Sequence, residues 1–125
     1  GHSDADVLAH AVSDALLGAV RGGDIGKLFP DTDPAYAGAD SLKLLAAVAD
    51  LVRERGYEIV DIDCVIAAQA PKLSPYREQM RANLAAACGI AVGNIGVKAT
   101  TTEHLGFEGR EEGMSAQAVA LVARA

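Results

Sequence analysis

The chain has 125 residues, half of them apolar, and its 11 basic against 17 acidic side chains leave a net charge of −6. That length suits a single domain over residues 1–125 with its own core, while the acid excess argues against a nucleic-acid surface, which needs a basic stripe. No apolar run nears the roughly 20 residues of a membrane span, and Cys64 and Cys88 lack metal or redox spacing, so both read as buried thiols of a reducing cytoplasm.

The first helix opens at His2-Ser3-Asp4, where Ser3 and Asp6 have the spacing of a capping box. Val7, Leu8, Ala11, Val12, Ala15, Leu16 and Ala19 give it an apolar face, and Gly22-Gly23 ends it. A loop rich in Gly, Pro and Asp follows, Gly22 to Pro34, which neither helix nor strand favours. Asp40 or Ser41 caps a second helix with Leu44, Leu45, Val48, Leu51 and Val52 on one face, stopped by Gly56. Residues 57–69 read as a strand in which Val60, Ile62, Cys64, Ile66 and Ala68 alternate with Asp61 and Asp63. After the turn Ala70-Pro71-Lys72-Leu73, Ser74-Pro75 begins a third helix that runs to Cys88 and stops at Gly89. Residues 95–99 form a second strand and residues 100–113 a loop, and the Ala-rich segment 114–123 fits helix or strand by periodicity and is read as a third strand. The order α-α-β-α-β-β indicates an α/β (α+β) domain, a small mixed sheet layered with helices.

Several clusters carry chemistry. His10 has Asp6 and Asp14 one turn to either side, an arrangement that fits a metal-bound imidazole with its orienting carboxylate or a hydrogen-bonded helix histidine. His2 and Ser3 lie where a helix N-terminus attracts anions, and capping explains Ser3 equally well. Asp24, Asp31 and Asp33 either surround something polar or form a solvated turn cluster. Lys98-Ala99-Thr100-Thr101-Thr102-Glu103 closes one strand, its three threonines suiting a β-edge or offering donors to a phosphate, and Ala68-Gln69-Ala70-Pro71-Lys72 closes another; open α/β sheets bind ligands at such carboxyl ends. Phe107 and Arg110, beyond a glycine, offer a planar contact and a contact to an anion, or Arg110 is simply solvated. The residues alone point to a domain that binds a phosphorylated ligand through its loops.

In order and spacing, His2-Ser3-Asp4, His10 with Asp14, the stretch 23–33, Ala68 to Lys72, Val97 to Glu103 and Leu105-Gly106-Phe107 with Arg110 resemble the 2-C-methyl-D-erythritol 2,4-cyclodiphosphate synthases of non-mevalonate isoprenoid biosynthesis. The resemblance spans essentially the whole chain. It implies a homotrimer with helices on one side of each sheet and active sites between subunits. The implied reaction is attack by the 2-phosphate of 4-diphosphocytidyl-2-C-methyl-D-erythritol 2-phosphate on its own β-phosphate, which releases CMP and leaves a cyclic diphosphate. His2 and Thr101 would then be the catalytic pair, and His10 a zinc ligand. Ser3 would hold the diphosphate beside His2, with Asp14 also on the substrate side. Asp24, Ile25, Gly26, Phe29, Pro30, Asp31, Thr32 and Asp33 would grip the methylerythritol hydroxyls. Ala68, Gln69, Ala70, Pro71, Lys72, Leu73 and Ser74 would form the cytidine pocket. Thr100 and Thr102 would meet the phosphates, and Glu103 would hold magnesium or manganese. Phe107 and Arg110 would line a central cavity that takes an isoprenoid diphosphate.

Two departures qualify these expectations. The family's metal site also draws on an Asp-x-His motif near the N-terminus that this sequence does not contain, so the chain is expected to lack that segment and to hold zinc poorly. Glu111 stands after Arg110 where the family often has Gly, which makes the cavity entrance more acidic. A non-catalytic module that binds CDP or CMP is the alternative.

Overall fold

The computed structural model describes residues 2–23, 41–68, 74–110 and 113–125, and gives only the backbone of residues 2–5 and of Ser74. Helix α1 (His2–Ala19) and helix α2 (Ser41–Glu54) precede strand β1 (Tyr57–Ala67). A 3-10 turn (Ser74–Tyr76) leads into helix α3 (Arg77–Cys88), and a second one (Val92–Asn94) leads into strand β2 (Ile95–Thr100). A single helical turn, α4 (Gly106–Gly109), separates β2 from strand β3 (Ser115–Arg124).

The sheet order is β2-β1-β3, with β1 parallel to β2 and antiparallel to β3. A parallel neighbour requires a crossover, and α3 supplies it. The helices bury their apolar stripes on one face of this mixed sheet. Leu8, Val12 and Leu16 of α1, Leu45 and Val48 of α2 and Leu84 of α3 meet Ile62, Cys64 and Ile66 of β1 and Ile95 and Val97 of β2. The opposite face carries Asp61, Asp63 and Lys98 and two exposed apolar residues, Val119 and Leu121, at 69% and 59% exposure.

The alternation expected along β1 holds from Ile62 onward and fails before it. Ile59 pairs with Val122 and Asp61 with Leu121, which leaves Val60 as an unpaired bulge residue. A bulge inverts the phase of alternation, so Ile59 is buried and Val60 is exposed. The third helix also differs from expectation. The α-helical hydrogen bonds begin at Arg77, because Ser74-Pro75-Tyr76 forms a tighter 3-10 turn first. The start of α1 shifts too. The helix already includes His2, so Ser3 lies inside its first turn, and the Asp6 carboxylate accepts a 2.5 Å hydrogen bond from Ser41 Oγ. The Ala-rich final segment is a strand, as expected.

The glycine pair does not end α1 alone. Gly22 N–H donates to Leu17 O at 2.7 Å and Arg21 N–H to Gly18 O at 3.3 Å, the two bonds of a Schellman motif. The left-handed residue of that motif is Arg21, at φ 55°, where glycine is usual. Gly22 packs closely against the end of the Leu17 side chain. A Cβ there would stand 2.8 Å from Leu17 Cδ2.

Candidate active site

Parallel pairing places the carboxyl ends of β1 and β2 side by side. Ala67 is in register with Thr100, and Ala68 N–H donates to Thr100 O at 3.0 Å. Ala68, the first residue of one strand-end segment picked out in the sequence, is therefore beside Thr100 of the other. Gln69, Ala70, Pro71, Lys72 and Leu73 lie outside the described residues, as do Asp24, Ile25, Gly26, Phe29, Pro30, Asp31, Thr32 and Asp33.

The three threonine hydroxyls after β2 are not equivalent. Thr100 Oγ1 donates to Thr101 O at 3.2 Å, and Thr102 Oγ1 donates to Leu105 O at 2.5 Å. Thr101 Oγ1 instead accepts the Glu103 N–H, at 3.4 Å. Among the described residues, Thr101 is thus the hydroxyl of the three whose proton has no protein acceptor, and its side chain is exposed.

Glu103 and His104 follow at φ 55° and 64°, and Leu105 N–H donates to Thr102 O at 3.1 Å. Two consecutive left-handed residues closed by that bond make a type I′ turn, whose preferred central pair is Asn-Gly. Placing Glu and His there costs about 1–2 kcal/mol per residue. Strain of this size persists only where the surroundings enforce it. Here α4 folds back onto the turn. A Cβ on Gly109 would stand 2.1 Å from His104 C and 2.5 Å from His104 Cα, so the two backbones touch with no room for a side chain. Ser115 Oγ donates to Glu108 Oε2 at 2.7 Å, which ties α4 to the start of β3 and lowers the Glu108 pKa.

Glu103 is exposed, and no hydrogen bond or ion pair engages its carboxylate among the described residues. A carboxylate beside hydroxyl oxygens is the hard-donor chemistry that magnesium or manganese takes, with substrate phosphates completing the shell. Glu103 can supply one such donor, with no cluster of three His, Cys, Asp or Glu side chains around it among the described residues.

Zinc fares differently. His10 and Asp14 are exposed on α1, one turn apart, yet among the described residues no three His, Cys, Asp or Glu side chains come together. Catalytic zinc normally takes three protein ligands. The described residues therefore do not make a zinc site, and no step is derived through one.

Phe107, at 44% exposure, and Arg110 lie on and just after α4, close to the strained turn. Lys98 serves elsewhere. Its ammonium binds Asp63 at 2.6 and 2.7 Å on the helix-free sheet face. With both side chains more than half exposed, that pair is worth roughly 0–1 kcal/mol. Burial, reinforced by the Asp63 charge and opposed by Lys98, pushes the Cys64 thiol up to about 11. Burial does the same for Cys88, with Arg53 opposing. Neither thiol is a nucleophile near neutrality.

The turn and Gly109 escaped the sequence reading. The signal that could have revealed them was Gly106-Phe107-Glu108-Gly109, two glycines three apart in a stretch taken as loop.

Comparison with known proteins agrees with this geometry. Residues 1–123 match the YgbB family. The 2-C-methyl-D-erythritol 2,4-cyclodiphosphate synthase of Desulfitobacterium hafniense is 64% identical over 119 residues, 95% of this chain and 75% of that protein. The bifunctional IspDF from Campylobacter jejuni superimposes with a TM-score of 0.89 at 45% identity, over 95% of this chain and 32% of that one. The CDP complex of IspF from Plasmodium falciparum does so with a TM-score of 0.82 at 30% identity, over 94% of this chain and 70% of that one. With the family matched along nearly its whole length and its fold reproduced in those structures, the chain belongs to the YgbB family, beside enzymes named 2-C-methyl-D-erythritol 2,4-cyclodiphosphate synthase.

Proposed function

We propose that this chain catalyses the cyclisation its relatives are named for. In the substrate, 4-diphosphocytidyl-2-C-methyl-D-erythritol 2-phosphate, an oxygen of the 2-phosphate forms a bond to the β-phosphorus. The bond from that phosphorus to the bridging oxygen breaks, and CMP leaves with the electron pair. The nucleophile is already an anion, so the protein's task is to position it and to stabilise charge on the transferring group.

The observation that carries this reading is the Thr101 hydroxyl. It lies between two hydroxyls that donate to carbonyls and keeps its own proton for a ligand. A donor of that kind, fixed at the end of a strand, stabilises developing charge without reorganising. His2 would act with it, and Ser3 would hold the diphosphate at the start of α1. Thr100 and Thr102 supply backbone contacts to the phosphates, and Ala68 to Ser74 receive the cytidine. Asp14 and the segment from Asp24 through Ile25 and Gly26 to Phe29, Pro30, Asp31, Thr32 and Asp33 grip the methylerythritol hydroxyls. Glu103 would hold magnesium or manganese, which when bound supplies charge neutralisation on the phosphates. His10 would give zinc one ligand, with the remainder from outside the described residues.

We further propose that the chain works as a homotrimer, with active sites between subunits and the helix-free sheet face turned inward. The exposed Val119 and Leu121 support this, since adjacent apolar residues on an open sheet face are an association surface. Phe107 and Arg110 would then line the central cavity, where an isoprenoid diphosphate fits an aromatic ring and a guanidinium. Two buried, inert thiols suit a cytoplasmic setting.

Protein supplied with magnesium should release CMP from the diphosphocytidyl substrate. Thr101→Ala should lose about a hundredfold in kcat, and Thr100→Ala less than about tenfold, because its hydroxyl points to a carbonyl. Tight CDP binding without any CMP release would instead identify a non-catalytic nucleotide module.

A further inference from the structure

We propose that Gly109 is a positioning residue for the strand-end site, a role that rests on the cyclising reaction proposed above. Its bare Cα lies on the backbone of His104. A Cβ at 109 would stand 2.1, 2.5 and 2.6 Å from His104 C, Cα and O, all of them main-chain atoms that no rotamer change can move. The atoms it presses on belong to the second left-handed residue of the Thr102–Leu105 turn. The turn lacks the Asn-Gly pair that favours it, and of its two central residues His104 accepts a positive φ more readily than Glu103. The constraint therefore comes from α4. Gly109 N–H donates to Leu105 O at 3.0 Å, which anchors the helical turn immediately beyond the strained pair.

Two functional groups take their direction from this contact. The Glu103 N–H shares its peptide plane with the Thr102 carbonyl, which the closing bond from Leu105 N–H holds, so the turn fixes the direction in which that N–H reaches Thr101 Oγ1, at 3.4 Å. That bond occupies a lone pair of the hydroxyl and turns its proton outward. The Glu103 carboxylate projects from the same residue, so a φ change there re-aims it by several ångströms. Gly109 touches neither substrate nor metal. It acts by making the α4 backbone a wedge against a turn that would otherwise relax.

The test compares Gly109→Ala with the parent protein in three measurements. They are kcat and KM for CMP release, CDP affinity in EDTA by calorimetry, and Mn2+ affinity in the presence of CDP by electron paramagnetic resonance. The expected result is a kcat lower by at least about tenfold, KM and CDP affinity within about threefold, and Mn2+ binding weaker by about tenfold. His104→Val provides the second variant if Gly109→Ala does not fold. A β-branched residue resists φ 64° and should give the same pattern without adding bulk against α4. His104→Gly keeps the turn and loses only what the imidazole itself contacts, so its Mn2+ affinity should stay within about threefold of the parent. Val48→Ala, destabilised in the core, should also keep both affinities. Parent-like kcat and Mn2+ affinity in Gly109→Ala, or in His104→Val should the former not fold, overturns the proposal, as does an equal loss of CDP and Mn2+ binding. A parent protein that binds CDP and Mn2+ yet releases no CMP refutes the catalytic reading alone, and the Mn2+ measurement then decides the role of Gly109.

Discussion

Arg21 occupies the left-handed position of the motif that ends α1, and replacing it with glycine should stabilise the protein. A non-glycine residue at φ 55° bears a steric cost of about 1–2 kcal/mol. Glycine removes that cost but gives the unfolded chain more freedom, which returns about 0.4–1 kcal/mol. The motif's bonds are all main-chain and survive the change. Gly22 N–H to Leu17 O and Arg21 N–H to Gly18 O need no side chain at 21, and Arg55 Nη1 donates to the Arg21 carbonyl, at 3.3 Å, rather than to its side chain. The net expectation for Arg21→Gly is a gain of about 0.5–1 kcal/mol, or roughly 2–5 °C in Tm for a domain of this size. Urea and thermal unfolding at one fixed protein concentration would measure it, since association also moves Tm. Arg21→Ala separates the cause. It removes the same side chain yet keeps the left-handed cost, so it should leave stability within about 0.5 kcal/mol of the parent. Equal stabilisation by alanine and glycine, or a loss with both, would refute the backbone argument and assign the effect to the arginine side chain.

Two further outcomes follow from the sheet. Leu121→Asp, at 59% exposure on the helix-free face, should leave the monomer folded by circular dichroism while sedimentation shows the trimer lost, and an unchanged trimer would place the interface elsewhere. The thiols bear on alkaline stability. Because folding raises both from 9.0 to about 11, their contribution is complete below pH 9 and is lost as pH rises from 9 toward 11. The urea midpoint of the parent should therefore fall over that window more steeply than that of a Cys64→Ala, Cys88→Ala double variant, by on the order of 2 kcal/mol per thiol. Parallel curves would show that the thiols titrate alike in both states.

Much of this fold is legible in the sequence because periodicity reports burial. The stripe through Leu8, Val12 and Leu16 and the alternation through Ile62, Cys64 and Ile66 both end up in the core. Periodicity left the Ala-rich β3 open between helix and strand, because alanine fits either, and the strand reading is the one that the structure bears out. It failed where a single residue changes the phase or the hand of the chain. Nothing about Val60 marks it as a bulge, since the extra residue is recognised only when β3 pairs against it. Arg21, Glu103 and His104 are left-handed without the glycine or asparagine that would announce it, because tertiary contacts and not local preference put them there. Helix α4 has four residues, too few for any helical repeat to show. The strand-end site was legible as two separate segments, and only the parallel register of β1 with β2 joins them.

The division between legible and hidden parts follows the division of labour in the site. Groups that bind by chemistry alone, such as a hydroxyl run or a carboxylate after a strand, are visible as residue types. Their aim is set by backbone conformation, which residue types report poorly. Thr100, Thr101 and Thr102 look interchangeable in sequence, yet among the described residues two are turned to carbonyls and one is left to donate, and what distinguishes them is the Glu103 N–H, in a peptide plane held by the closing bond of the turn. A reaction whose nucleophile is already charged depends on such aim more than on a shifted pKa. Among the described residues the large shifts fall on the two core thiols, away from the strand end. Catalytic power in this site is therefore expected to respond more to substitutions that move the turn than to those that change the charge around it.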